Sequence, residues 1–210
     1  MHQLVALDLA GGPDFVGALQ QVWSDGDAAL PIDQRLSTAA RAEVMRAMAA
    51  GAVIDTSGRS ALNDSRSVEP GDALVVATSG STGQPKGVVL THTAVAASAD
   101  ATSKRLGVTD DDHWLACLPL SHVGGLSVIT RALHRGTALT VLPRFDADAV
   151  TQAAADGATL TSLVATALTR IDPSIFRCIV LGGGPPPDPR PANTVTTLSL
   201  IHISEPTRPY

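Results

Sequence analysis

The chain has 210 residues, enough for one sizeable core, and we expect one domain. Its formal charge is −5 and no cluster of Lys or Arg could neutralise successive phosphates, which argues against a nucleic-acid partner. The longest stretch without charged residues, residues 113–130, contains two His, a Pro and adjacent Gly residues, so we expect no membrane span.

The first half of the chain alternates helix and strand patterns, separated by Gly, Pro and polar residues. The predicted elements are a helix over 13–23, a strand over 28–31, a helix capped by Ser37 and running to about Ala50, a strand over 52–54, a surface loop over 55–71, a strand over 73–77, a loop over 78–87, a strand over 88–90 and a helix over 93–106.

The second half repeats this alternation. The predicted elements are strands over 114–118, 138–142, 159–164 and 178–181, with helices over 126–134 and 146–155. Helices placed between strands predict an α/β fold with a helix-covered, largely parallel sheet.

The N-terminus makes a cytoplasmic address the default, and the cysteines suggest neither a disulfide nor a metal site. Residues 1–12 lack the basic start and continuous apolar run of a secretion signal. Cys117 and Cys178 lie in separate apolar runs, without the close spacing of a disulfide framework or a metal site. We expect two buried, reduced thiols.

The most informative segment is residues 78–87, TSGSTGQPKG, directly after an apolar strand. Its glycines would let the backbone approach a bound oxyanion, and Lys86 would add a positive charge. Hydroxyls and backbone N–H groups of the segment could donate to phosphate oxygens. The candidate phosphate-binding residues are Thr78, Ser79, Gly80, Ser81, Thr82, Gly83 and Lys86.

Two alternative interpretations of this segment are weaker. A Walker A loop requires Gly before the Lys and Ser or Thr after it, whereas Pro85 and Gly87 flank Lys86. A flexible Ser/Gly linker gives no reason for a Pro-Lys-Gly stop between two apolar strands.

The segment resembles the signature loop of adenylate-forming enzymes, which include acyl-CoA synthetases, luciferases and peptide-synthetase adenylation domains. Residues 118–126, LPLSHVGGL, and 181–185, LGGGP, resemble two further motifs of that family in the same order. The resemblance implies the N-terminal domain of such an enzyme, here incomplete.

The resemblance also implies residue roles. Lys86 and His122 are the catalytic candidates, and His122 would lie near the carboxyl group of the adenylate. Gly183, Gly184 and Pro185 would lie beside the adenine base. The alternatives are a partly buried, satisfied imidazole at His122 and, for the glycines, an ordinary loop after a strand.

By the same resemblance, the intact enzyme would use ATP with Mg²⁺ to convert a small carboxylic acid into an acyl-adenylate, then transfer the acyl group to coenzyme A. The wording of the motifs and of residues 161–164, TSLV, looks most like the 2-succinylbenzoate–CoA ligases of menaquinone biosynthesis. Long-chain, short-chain and aryl-acid ligases share the general motifs, so the acid stays open, as does the oligomeric state.

The resemblance covers about residues 14–197 and then stops. We expect a partial AMP-binding domain over 1–197, a disordered or artefactual tail over 198–210 that resembles a translated sequencing adaptor, and no C-terminal domain. The family's Mg²⁺-binding Glu, ribose-binding Asp and C-terminal catalytic Lys would lie beyond this point. The alternative function is therefore an incomplete fragment that binds nucleotide weakly.

The remaining ionisable residues suggest no site. Asp110, Asp111 and Asp112 are adjacent in a predicted turn, where three carboxylates point in different directions and stay solvated, so we assign no metal to them. The histidines outside the motifs are expected at the surface or at helix ends: His2, His92, His113, His134 and His202.

Overall fold

The structure is a computed structural model that describes residues 2–63, 65–79, 85–197 and 208–209. It divides the chain into two compact units, residues 1–95 with 205–210 and residues 96–204. Each unit has its own sheet and its own apolar core. The single partial AMP-binding domain expected over residues 1–197 stays a prediction.

The elements follow one another in an alternating α/β order. They are β1 (Leu4–Leu7), α1 (Pro13–Ser24), β2 (Ala28–Pro31), α2 (Thr38–Ala47), β3 (Ala52–Asp55), β4 (Gly58–Ala61), β5 (Asp72–Ser79), β6 (Pro85–Thr91), α3 (His92–Leu106), β7 (His113–Ala116), α4 (Val123–Arg135), β8 (Ala138–Val141), α5 (Ala147–Ala155), β9 (Leu160–Val164), α6 (Ala165–Leu168), a 3₁₀ turn (Pro173–Ile175), β10 (Cys178–Gly182), β11 (Thr194–Thr196) and β12 (Arg208–Pro209).

The sheet of the first unit has the order β12-β6-β5-β2-β1-β3-β4. β1 pairs in parallel with β2 and β3, and β2 pairs in parallel with β5. Both central strands, β1 and β2, are apolar and buried at every position, as expected for parallel strands covered on both faces. Antiparallel strands β6 and β4 extend this parallel centre.

The sheet of the second unit has the order β11-β10-β9-β7-β8 and is parallel throughout. A core cluster that includes Leu115, Leu163 and Ile179 lies on one face, with Val150 of α5. α4 packs on β7, β8 and β9. The predicted fold class, α/β with a largely parallel and helix-covered sheet, is confirmed, although the strands form two sheets.

The helix boundaries follow from their caps. The Ser37 hydroxyl accepts the N–H of Ala40 at 3.3 Å, as the sequence predicted, and Asp146 caps α5 in the same way through Ala149. α2 ends at Ala47 because Ala49 adopts a left-handed φ of 47°, so the helix stops before the predicted Ala50.

Several regions differ from the sequence prediction. β1, α6, the 3₁₀ turn and β11 were not predicted, and β4 lies inside the predicted surface loop 55–71. β5 and β6 include both ends of the predicted loop 78–87, because the two strands pair as far as Ser79 and Pro85. In the tail, Arg208–Pro209 pairs with β6, whose outer edge offers backbone groups for a further strand.

Both cysteines are buried and free, as predicted, and burial raises the pKa of the Cys117 thiol to about 11. In the part of the chain that the structure describes, every helix is too short or too polar to cross a bilayer.

Candidate active site

The β5–β6 hairpin holds the two ends of the signature loop. Thr78 pairs with Lys86 and Ser79 with Pro85 across the antiparallel strands. The Thr78 hydroxyl donates to the Lys86 carbonyl at 3.1 Å, so its proton is used within the hairpin. The Lys86 side chain is exposed. The predicted phosphate ligands Gly80, Ser81, Thr82 and Gly83 lie outside the described residues.

The second motif forms the turn between β7 and α4. His122 is the N-cap residue of α4, with an extended backbone (φ −114°, ψ 147°), and its side chain is exposed. Its N–H donates to the Pro119 carbonyl at 3.2 Å, and its own carbonyl accepts the N–H groups of Gly125 and Leu126. The backbone of His122 is therefore fixed on both sides, and its side chain is exposed.

The third motif follows β10. Gly183 has a φ of +80°, a conformation that a residue with a side chain rarely adopts. A Cβ at this position would lie 3.0 Å from Cγ1 of Val164, the last residue of β9. Gly184 and Pro185 are exposed. The turn therefore leaves its backbone uncovered, as contact with a flat base would require.

The second and third motifs lie at the same edge of one sheet. β7 and β10 both pair in parallel with β9, so the turns after β7, β9 and β10 leave the sheet at the carboxyl ends of neighbouring strands. Ligands of open α/β sheets bind at this edge. Sequence separation hides the arrangement, since 60 residues separate His122 from Gly182.

Arg131 is a buried residue on α4 that the sequence analysis missed. Its side chain is 8% exposed, and its Nε and Nη1 have no hydrogen-bond partner among the described residues. Its Cζ lies 5.6 Å from the ring centroid of Trp114, whose buried indole N–H is also unpartnered within the described chain. Burial lowers the pKa of Arg131 to about 10. In the sequence, the signal that could have identified Arg131 was an arginine among the apolar residues of a helix.

Asp112 corrects an expectation of the sequence analysis. Its side chain is 3% exposed and accepts hydrogen bonds from Arg177, from the Thr159 hydroxyl and from the Thr109 N–H. Burial raises the pKa of this carboxyl, but the hydrogen bonds from Arg177, Thr109 and Thr159 outweigh burial and hold the pKa below its ordinary value. Asp112 is therefore buried and paired, whereas Asp110 and Asp111 are exposed as expected.

The histidines outside the motifs differ among themselves. His113 is half-buried, and its Nε2 lies 2.8 Å from the Thr140 hydroxyl, so the expected surface position was wrong. His92 begins α3, and His134, in the last turn of α4, pairs with Asp100 at 3.0 Å. His202 lies outside the described residues.

The described residues offer no cluster of side chains for a metal ion. Within residues 2–63, 65–79, 85–197 and 208–209, no group of three or more His, Cys, Asp or Glu side chains could hold one. We therefore assign no residue of this part of the chain to Mg²⁺.

The sequence profile of the AMP-binding enzyme family matches residues 55–194, which is more than half of the chain. The chain belongs to this family. The match includes the signature hairpin, the β7–α4 turn and the turn after β10, and it ends before the tail.

Individual relatives of the chain are ligases. The 2-succinylbenzoate–CoA ligase of Bacillus anthracis is 44% identical over 124 residues, which are 55% of this chain and 26% of the relative. The structure resembles o-succinylbenzoate CoA synthetase from Bacillus subtilis, solved in complex with the acyl-adenylate intermediate OSB-AMP and with ATP and magnesium ion. In both comparisons the identity is 28% and the TM-score 0.75. Both alignments cover 89% of this chain. They cover 45% of the solved chain in the OSB-AMP complex and 46% in the complex with ATP and magnesium ion. The chain thus spans only part of these proteins' length.

Proposed function

We propose that the chain is the nucleotide-binding part of an AMP-forming acid–CoA ligase, with 2-succinylbenzoate as its acid and menaquinone biosynthesis as its pathway. The supporting observation is the arrangement of the second unit, where the β7–α4 turn and the glycine turn after β10 share one sheet edge. A carboxyl group beside His122 and an adenine beside Gly183, Gly184 and Pro185 would then belong to one adenylate.

The proposed reaction has two steps. An oxygen of the acid's carboxylate attacks the α-phosphorus of ATP, the bond to pyrophosphate breaks, and an acyl-adenylate forms. The thiol of coenzyme A then attacks the acyl carbon, AMP leaves and the thiol proton passes to solvent. Mg²⁺, when bound, would neutralise phosphate charge, but its ligands would come from outside the described residues.

Lys86 would reduce the main electrostatic obstacle. In the first step an anion approaches a polyanion, and negative charge moves onto the departing pyrophosphate. The exposed ammonium group of Lys86, on the strand that leads out of the signature loop, would offset this repulsion. Ser79, Gly80, Ser81, Thr82 and Gly83 would supply the remaining donors, whereas the Thr78 hydroxyl donates to the Lys86 carbonyl and would hold the hairpin together.

Arg131 supports the choice of a dicarboxylic acid. A guanidinium has donors only, and a buried one without a partner is costly unless an anion joins it. 2-Succinylbenzoate has a second carboxylate besides the one that would be activated. Helical side chains lean toward the N-terminus of their helix, which for Arg131 is the end where His122 lies.

A second reading is that the 210 residues bind nucleotide but do not catalyse. The 124 aligned residues of the chain cover 26% of the matched ligase, and no described residue is assigned to Mg²⁺. Binding without turnover would fit this reading. The two readings therefore differ in turnover and agree in nucleotide binding.

Lys86→Ala tests the proposal against a matched control. The control is Lys104→Ala, which removes the other lysine of the chain from the exposed surface of α3. ATP and AMP affinities are measured by calorimetry, and acid-dependent ATP–pyrophosphate exchange is measured with 2-succinylbenzoate. We expect Lys86→Ala to weaken the binding of ATP more than the binding of AMP. It should also slow any ATP–pyrophosphate exchange by roughly a hundredfold or more, which corresponds to an increase in activation free energy on the order of 3 kcal/mol.

Equal ATP affinity in the two lysine variants would contradict the role of Lys86. Exchange with benzoate or succinate as fast as with 2-succinylbenzoate would contradict the proposed acid. Nucleotide binding without exchange would favour the second reading.

A further inference from the structure

The first turn of α4 has no room for a side chain at residue 125. A Cβ built on Gly125 would lie 2.4 Å from the Leu118 carbonyl oxygen, 2.6 Å from the Pro119 carbonyl oxygen and 2.9 Å from the Leu118 carbonyl carbon. All three are backbone atoms, so no rotamer change can relieve the overlap. Gly125 therefore allows the start of α4 to pack directly on the turn that precedes it.

The same turn holds His122. The Pro119 carbonyl accepts the His122 N–H at 3.2 Å, and the His122 carbonyl accepts the N–H groups of Gly125 at 3.1 Å and Leu126 at 2.9 Å. The Pro119 oxygen is thus both the acceptor that anchors His122 and an atom that a Cβ at residue 125 would push away. A side chain there would act on the backbone of His122 through a single shared carbonyl.

We propose that Gly125 is a positioning residue for His122. Because Gly125 has no side chain, α4 can pack on the preceding turn, and this packing determines the position of the His122 imidazole. The inference rests on the acyl-site role proposed above for His122. A Cβ would need the helix or the turn to move by roughly 1 Å to reach ordinary contact distance. A displacement of about 1 Å at a reacting group can cost on the order of a hundredfold in rate.

Gly124 is a close control in the same helical turn. A Cβ on Gly124 would meet only the Leu118 Cδ1 atom, at 3.4 Å, which is the far end of a flexible side chain. Alanine at either position raises helix propensity by a similar amount, about 1 kcal/mol. Gly124→Ala and Gly125→Ala therefore differ chiefly in the backbone overlap.

The test follows the His122 ring in the full chain by NMR. The chain is labelled with ¹³C-histidine, the His122 resonance is assigned with His122→Gln, and spectra of the unsubstituted chain, Gly124→Ala and Gly125→Ala are compared at one pH. We expect Gly125→Ala to displace the His122 resonance while that of His134, near the other end of α4, stays in place. Gly124→Ala should leave both resonances unchanged.

Titration with 2-succinylbenzoate separates this inference from the proposed function. We expect the acid to shift the His122 resonance in the unsubstituted chain and in Gly124→Ala, with affinity about tenfold weaker in Gly125→Ala. If the acid shifts no resonance in any variant, the proposed acid site fails, and the ring position without acid still decides the role of Gly125.

Two results would overturn the inference. One is a His122 resonance in Gly125→Ala that coincides with that of Gly124→Ala. The other is an equal displacement of the His122 and His134 resonances, which would indicate general loss of structure.

Should Gly125→Ala not fold, hydrogen exchange in the unsubstituted chain provides a second measurement. The His122 amide should exchange at least about tenfold more slowly than an unstructured peptide, and an unprotected amide would remove the proposed anchor.

Discussion

Two arginines of the second unit are placed in opposite ways. Arg177 has a side chain that is 43% exposed, yet it donates to the buried Asp112 through Nε and Nη2. Arg131 is 8% exposed, and its Nε and Nη1 have no partner among the described residues. The accessible guanidinium is paired by the protein, and the inaccessible one is left with unsatisfied donors.

Arg177 therefore has a structural role, whereas Arg131 has donors that a ligand could satisfy in the proposed site. Asp112 precedes β7, Thr159 precedes β9 and Arg177 precedes β10, so their hydrogen bonds tie together the amino ends of three neighbouring strands. The motif turns leave the opposite ends of these strands. Within the described part of the chain, Nε and Nη1 of Arg131 make no such hydrogen bond. Burial lowers the pKa of Arg131, which is a cost that a bound carboxylate would offset.

Removing Asp112 should have the largest effect on stability. Asp112→Ala deletes the acceptor of five hydrogen bonds, from Arg177 Nε and Nη2, the Thr159 hydroxyl, and the Thr109 N–H and hydroxyl. We expect the free energy of unfolding to fall by about 3 kcal/mol, because hydrogen bonds to a charged group contribute most. Urea denaturation measures it. Asp111→Ala, at an exposed neighbour, is the control, and equal values for the two variants would contradict the structural role.

Replacing Arg131 should have a smaller effect on stability, and of the opposite sign. Arg131→Met keeps a long side chain against Trp114 and removes a buried charge, so the free energy of unfolding should stay unchanged or rise by about 1–2 kcal/mol. Affinity for 2-succinylbenzoate should fall roughly tenfold or more, which is about 1.4 kcal/mol or more.

Arg170→Met is the matched control for Arg131, because Arg170 also lies over an aromatic ring, 5.0 Å from the Phe145 centroid, but is exposed. A large loss of stability in Arg131→Met would show that the charge has a structural partner. Unchanged acid affinity would remove Arg131 from the acid site.

The comparison also shows how far the sequence could lead. Local signals were sufficient for the Ser37 cap, for α1 and for the buried strands β2, β9 and β10, and three motif segments indicated the family. β4 could not be predicted, because all four of its residues are exposed and only pairing with β3 makes it a strand. β1 is a four-residue apolar run, too short for periodicity to distinguish strand from helix.

The candidate site was predictable in its parts and not in its arrangement. The sequence identified His122 and Gly183 as motif residues, but their position at one edge depends on β7 and β10 both pairing with β9. Asp112 and Arg177 are 65 residues apart, and only the parallel sheet brings them together. Asp112 therefore looked solvated in a run of three carboxylates.

Lowering the pH should reduce the free energy of unfolding by protonating Asp112, the partner of Arg177. This is the smallest of the expected effects. The folded-state pKa of Asp112 lies below its ordinary value, so the charged form stabilises the fold fully above about pH 4, the unfolded value. That stabilisation is lost as the pH falls from there through the folded pKa. The loss is about 1.4 kcal/mol for each unit by which the two pKa values differ.

Unfolding measured from pH 6 down to pH 3 checks the prediction, with Asp112→Ala as the reference. The difference in unfolding free energy between the unsubstituted chain and Asp112→Ala should shrink below pH 4, because protonation removes what the substitution has already removed. A constant difference across this range would mean that the Asp112 carboxyl contributes through its shape and neutral hydrogen bonds, and not through its charge beside Arg177.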